Sequence, residues 1–194
     1  LKAGGIADYL KPDSVVQSDH PDIVAKAAEI IVDGSSETEI AQTLFEWVRD
    51  QISHSADANR SEVTCDAIDV LRLGTGACYA KAHLLAALLR SQKIPCGFCY
   101  QTFAEGGKYD LVHGLNAIYL SETKTWIRID PRGNTQGCSS PAIFNLTDEP
   151  SRLAFPELDF LDDKVYVAPL ENVVCKLRQH SERSALWKDL PRAP

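Results

Sequence analysis

Apolar residues recur at helical spacing from Asp22 to Val32 (Ile23, Val24, Ala27, Ile30, Ile31), and Asp33-Gly34 closes the pattern, which predicts a first helix. Ser36, with Glu39 three residues on, reads as a capping box for a second helix. That helix runs to about Ile52 and carries an apolar stripe at Ile40, Leu44, Trp47, Val48 and Ile52. Residues 53–64 are polar and loop-like, 65–73 suit a short helix, and Gly74-Thr75-Gly76 is a turn. From Cys78 to Ser91 the pattern is apolar nearly all round, which predicts a central, buried helix.

The period then changes. Strand signals lie at 95–103, 110–120 and 125–130, separated by turns at Glu105-Gly106-Gly107 and Ser121-Glu122-Thr123-Lys124. Residues 131–163 read as an irregular surface wrap, Val165-Tyr166-Val167 as one more short strand, and 171–179 as a helix before a polar tail. The fold class expected is α+β, with N-terminal helices first and an antiparallel sheet after them. One domain over residues 1–194 is expected, because there is no repeat, low-complexity segment or linker, and 194 residues suffice for one substantial core.

Composition narrows the function. The hydrophobic share is 44% and the charged share 24%, as in ordinary globular proteins. A net charge of −7, with no Lys/Arg block, argues against nucleic acid and anionic membrane surfaces as partners. No apolar run is long enough to span a bilayer and no signal-like start is visible, so the cytoplasm is the default expectation. The cysteines at 65, 78, 96, 99, 138 and 175 are read as reduced thiols, since a core of this size needs no disulfide staples.

One cysteine stands in a chemical setting. Cys78 follows a glycine turn and opens the buried helix, so the helix dipole and its unpaired N–H groups favour a thiolate. His113 lies in a strand-like stretch, and Asp130 ends the next one just before Pro131. Two strands of one sheet can carry that imidazole and carboxylate to a preceding helix. This gives a thiol nucleophile, a base and an orienting group. The Cys78 N–H would supply one oxyanion donor, and His54, just after the second helix, is a candidate for the other.

Other readings are blander. Cys96 and Cys99 form a single pair, whereas zinc needs about four ligands, so they read as packed thiols on opposite faces of a strand. His83 reads as a core histidine, and Cys65 and Cys138 as possible neighbours of Cys78. Trp126 shares a strand face with Arg128 and Asp130 and either walls the site or packs. Asn116, Arg132 and Asn134 are candidates to support it.

In these motifs the chain resembles the transglutaminase-like superfamily, whose core is related to papain-like cysteine proteases. The resemblance rests on Gly76-Ala77-Cys78-Tyr79-Ala80, on Leu89-Arg90-Ser91-Gln92-Lys93-Ile94-Pro95, on the His113 strand and on Trp126-Ile127-Arg128-Ile129-Asp130-Pro131, all matching in order and spacing. His113-Gly114-Leu115-Asn116 and Asp130-Pro131-Arg132-Gly133-Asn134 are similar to a bacterial subgroup labelled as candidate cysteine proteases. The likeness covers roughly residues 38–135, leaving 136–194 as a C-terminal wrap. It implies Cys78 as nucleophile, His113 as base, Asp130 as orienter and His54 on the oxyanion side. It also implies acyl transfer from a peptide or protein amide through a thioester, with no metal or organic cofactor. Water as acceptor would make a protease or amidase, or a deamidase; an amine would make a transglutaminase. A non-catalytic peptide-binding module on the same fold is the reading of another class. The chain departs from the family where Gly114 and Leu115 follow His113, since members commonly carry a small residue and then Trp there.

Overall fold

The computed structural model of the chain describes residues 1–105, 108–133 and 141–194. The expected turn at 105–107, Asn134 and Cys138 lie wholly or partly outside the described residues.

Local signals set the helices. Helix α1 (Pro21–Ile30) starts with Pro21 at its first position, and the Asp22 N–H donates to the His20 ring at 3.1 Å. Helix α2 (Glu37–Gln51) carries the capping box: Glu39 N–H donates to Ser36 Oγ at 3.3 Å and Ser36 N–H to Glu39 Oε2 at 2.7 Å. Helix α3 (Ala67–Leu73) ends at Gly74, whose φ of +64° suits a residue without a Cβ. Helix α4 (Cys78–Ser91) is buried from Tyr79 to Arg90, as its largely apolar pattern requires, with Lys81, His83 and Arg90 buried among the apolar residues.

Between these helices runs a feature the pattern hides. Strand β1 (Ser53–His54) pairs in parallel with strand β2 (Thr75–Gly76), where the sequence suggests only a loop and a turn. Two residues carry no readable period. The pairing is made by Ser53 N–H to Gly74 O and Ser55 N–H to Gly76 O, each at 3.0 Å. It draws His54 up to the residues that open α4. Gly76 has to be small there, since a Cβ would meet Ala80 Cβ at 2.9 Å and Thr64 Oγ1 at 3.0 Å.

Strands β3 (Cys96–Glu105), β4 (Lys108–Leu120) and β5 (Thr125–Ile129) form an antiparallel sheet in that order. The register sets His113 opposite Gln101 and Asn116 opposite Ile129. Alternation divides β4 between two layers. Its α4 face carries Gly114, Asn116 and Ile118. Leu115 and Ala117 on the other face join a smaller cluster with Tyr9, Leu153 and Val165. Cys96 packs in the main core and Cys99 in the smaller cluster, on opposite sides of the sheet.

Buried polar side chains tie the layers. Arg90 donates to the carbonyls of Cys96 (2.9 Å), Lys11 (2.7 Å) and Val167 (2.5 Å). Lys81 donates to the carbonyls of Arg49, at 3.1 Å, and Ile52, joining α4 to the end of α2. The Val165–Val167 stretch contributes one bridge, Tyr166 to Phe98, rather than a full strand.

Helix α5 (Glu171–Gln179) lies where the sequence pattern puts a helix, whereas a 3-10 turn at Ile6–Leu10, helix α6 (Arg183–Leu186) and a strap over residues 187–193 that pairs with the start of β4 are too short or too polar to show a period. The strap is held by Val112 N–H to Pro191 O at 3.2 Å and Ala193 N–H to Asp110 O at 2.5 Å. Among the described residues no helix is long and apolar enough to cross a membrane.

Candidate active site

The opening of α4 sets the centre. Its N-cap is Ala77, which has no side-chain oxygen to offer the first-turn N–H groups, and Cys78 stands half-buried immediately after it. Tyr79 O–H donates to the carbonyl of Val112, and a Cβ on Gly114 would sit 2.9 Å from the Tyr79 ring. This contact fixes the helix start against β4 one residue from His113.

His113 and Asp130 meet as neighbours across two strands. His113 Nε2 lies 2.9 Å from Asp130 Oδ2, with both side chains buried. Arg132 N–H donates to Asp130 Oδ1 at 3.0 Å and Ala154 N–H to Oδ2 at 3.1 Å. With Nε2 engaged by the carboxylate, Nδ1 is the nitrogen left for the thiol. Phe155 packs edge-on to the His113 ring at 4.9 Å between centroids, and Phe103 at 6.2 Å. Gln101 holds the Phe155 segment by donating to the carbonyls of Phe155 (2.9 Å) and Leu158 (3.2 Å).

Electrostatics follow from this packing. Burial would raise the Cys78 pKa, but the charge and hydrogen bonding of His113, aided by His54, bring it down to about 6. Burial would lower that of His113, but Asp130 and Cys78 raise it to about 10. Asp130 is held below the ordinary carboxylate range: burial opposes this, while His113 and the two backbone N–H groups outweigh it. Between those two values the centre is a thiolate–imidazolium pair beside a carboxylate. The contrast with other thiols is large, because burial pushes Cys65, Cys96 and Cys99 each up to about 12.

A cavity of about 150 Å³ opens at this centre, and Cys78, His113, His54, Tyr79 and Arg132 all line it. His54 Nδ1 is 3.5 Å from Asp57 Oδ1, and Arg132 grips the same carboxylate with both terminal nitrogens, at 2.5 and 3.0 Å. Asp57 was not singled out from the sequence. The only signal available there was an acid three residues beyond a candidate histidine.

The structure therefore brings together Cys78, His113, Asp130, His54 and Arg132, and it places Asn116, Trp126, Cys65 and His83 elsewhere. Asn116 donates to the carbonyls of Ala82 (3.0 Å) and Gly97 (3.2 Å), clamping α4 to β3 outside the cavity. Trp126 meets Tyr9 edge-on at 4.6 Å and the tilted ring of Tyr119 at 5.7 Å, in the smaller cluster, so of its two readings packing is the one seen. Cys65 lines a separate surface hollow with Asp66 and Arg178. The His83 ring meets the Cys65 carbonyl at 2.7 Å, and burial lowers its pKa to about 4, the state of a neutral core imidazole.

The chain is similar to several solved structures. A crystal structure of a protein named as a candidate cysteine protease from Cytophaga hutchinsonii superposes with a TM-score of 0.53 at 21% identity, over 66% of this chain and 42% of that one. A TGase structure gives a TM-score of 0.45 at 18% identity, over 66% and 35%. A candidate protease from Parabacteroides distasonis gives 0.45 at 12%, over 85% and 32%. The chain thus spans less than half the length of each. No curated protein matches it in sequence. The family model described as "Transglutaminase-like superfamily" matches residues 24–131, beginning in α1 and ending at the proline after Asp130. With more than half its length matched and the fold in agreement, the chain belongs to the transglutaminase-like superfamily.

Proposed function

We propose that the protein is a cysteine-nucleophile acyl-transfer enzyme that cleaves amide bonds, a protease or amidase working through a thioester. One observation carries the reading: a half-buried thiol whose pKa falls to about 6 beside an imidazole that Asp130 keeps charged. In the first step the Cys78 thiolate attacks the amide carbonyl and a C–S bond forms. The oxyanion is met by the Cys78 N–H and by His54, which lines the same cavity. His113 passes its Nδ1 proton to the leaving nitrogen as the C–N bond breaks, leaving a thioester. Water then gives a proton to His113 and attacks the thioester, and C–S cleavage releases the acid and restores the ion pair. Asp130 holds the ring in position and stays ionised throughout.

The test is the rate of Cys78 alkylation against pH, read by peptide mass spectrometry. Half-maximal labelling is expected near pH 6. In His113→Ala it moves above the ~8.5 of a free cysteine, because burial then opposes ionisation. Incubation with a peptide amide should leave an acyl adduct on Cys78. Labelling no faster than that of exposed Cys175, and indifferent to His113, sinks the reading.

A further inference from the structure

The cavity at Cys78 is polar at Cys78, His113, His54, Tyr79 and Arg132. Its remaining walls are Phe103, Leu111, Val112, Phe155, Trp187 and Leu190, with the methyl of Ala77. Apart from the His113 imidazolium beside the sulfur, the cation that reaches it is Arg132, which the Asp57 carboxylate engages through both terminal nitrogens. A void of roughly 150 Å³ lined this way has the capacity to hold a benzene-sized group.

Two of these walls arrive on the strap, far along the chain from the reacting groups. Trp187 sits at the end of α6, its ring 6.5 Å from that of His54 and capped by the Arg183 guanidinium at 5.6 Å. Leu190 follows three residues later. The strap is pinned on both sides of it: Asp189 accepts from Lys176 at 2.6 Å and lies 3.0 Å from His180, while Arg192 pairs with Asp110 at 2.6 Å. A loose tail would make a poor wall; this one is fastened to α5 and to β4.

We infer that Trp187 and Leu190 are specificity-determining residues: with Phe103 and Phe155 they form an apolar pocket, beside the sulfur, for an uncharged, ring-sized side chain on the acyl part of the substrate. The inference rests on Cys78 being the nucleophile. It selects aromatic or branched aliphatic acyl groups and rejects carboxylates and ammonium groups, whose desolvation no wall compensates.

The probes are N-benzyl iodoacetamide, iodoacetamide and N-(4-carboxybenzyl) iodoacetamide, each scored at Cys78 by mass spectrometry and divided by its rate with N-acetylcysteine. Each reaction forms a C–S bond and expels iodide, so no amide substrate is needed. The benzyl reagent should exceed plain iodoacetamide by about tenfold or more, as burial of a ring predicts, and the carboxybenzyl reagent should fall below the benzyl one. In Trp187→Ala/Leu190→Ala the benzyl-to-plain ratio should drop towards 1. Leu190→Lys should move the preference to the carboxybenzyl reagent, a gain that unfolding does not produce. If plain iodoacetamide labels Cys78 with its midpoint near pH 6 but shows no benzyl preference, or if the preference survives both variants, the pocket assignment is overturned and the nucleophile stands. If plain labelling itself lacks that midpoint, both fall.

Discussion

Asp130 makes no contact with the sulfur, yet the charge state of the centre depends on it. Its carboxylate is the largest influence raising the His113 pKa. Asp130→Asn removes that charge, so the ring should lose its proton well below pH 10, and the span over which thiolate and imidazolium coexist should shrink from the alkaline side. NMR titration of the His113 ring checks this; an unmoved titration would show that Asp130 does not set the ring's charge. Amide cleavage should fall on the order of 10³–10⁴-fold, as when an orienting carboxylate is lost from such a group of three. At this scale the sequence was legible where each residue stood in its own short motif, as Cys78, His113 and Asp130 do. Asp57, Phe155 and Trp187 were not legible, because each reaches the cavity by a tertiary route that no local spacing records.

Among the elements, α4 and β4 meet closely near the site. Gly114 faces the Tyr79 ring, and an added Cβ would stand 2.9 Å from its Cδ1 and 3.4 Å from the helix backbone. Gly114→Ala should therefore cost about 1–3 kcal/mol in thermal or denaturant unfolding. It should also slow Cys78 alkylation at pH 7, because the helix start has to move away from His113. A variant as stable and as reactive as the parent would disprove that contact's role. This glycine takes the place where family members commonly carry a small residue, and the packing shows why smallness is needed. Helices α1, α2 and α4 and the three long strands were readable because their periods persist over many residues. The β1–β2 pair was not, although it delivers His54: two residues have no period, and their partner lies beyond α3.

Across the whole molecule, Arg90 fastens three distant parts of the chain, accepting none and donating to carbonyls at 11, 96 and 167. Lysine keeps the charge but lacks the planar fork that serves three directions at once. Arg90→Lys should lower stability by about 3 kcal/mol, given the usual cost of losing hydrogen bonds to a buried charge. The denaturant midpoint should fall while the slope of the transition holds; an unchanged midpoint would remove Arg90 from this role. The α+β order was legible from the change of period after Ser91, but the 131–163 wrap and the polar tail gave no hint of which face they would cover.

The family pattern stops at Pro131. Phe155, Trp187 and Leu190 all come after it, whereas Cys78, His113 and Asp130 come before. The proposed reacting groups thus lie inside the family pattern and three of the cavity's large apolar walls outside it, with Phe103, Leu111 and Val112 inside. A chain recombined just after residue 133 would keep Cys78, His113 and Asp130 and exchange those three walls, along with the Ala154 N–H that donates to Asp130.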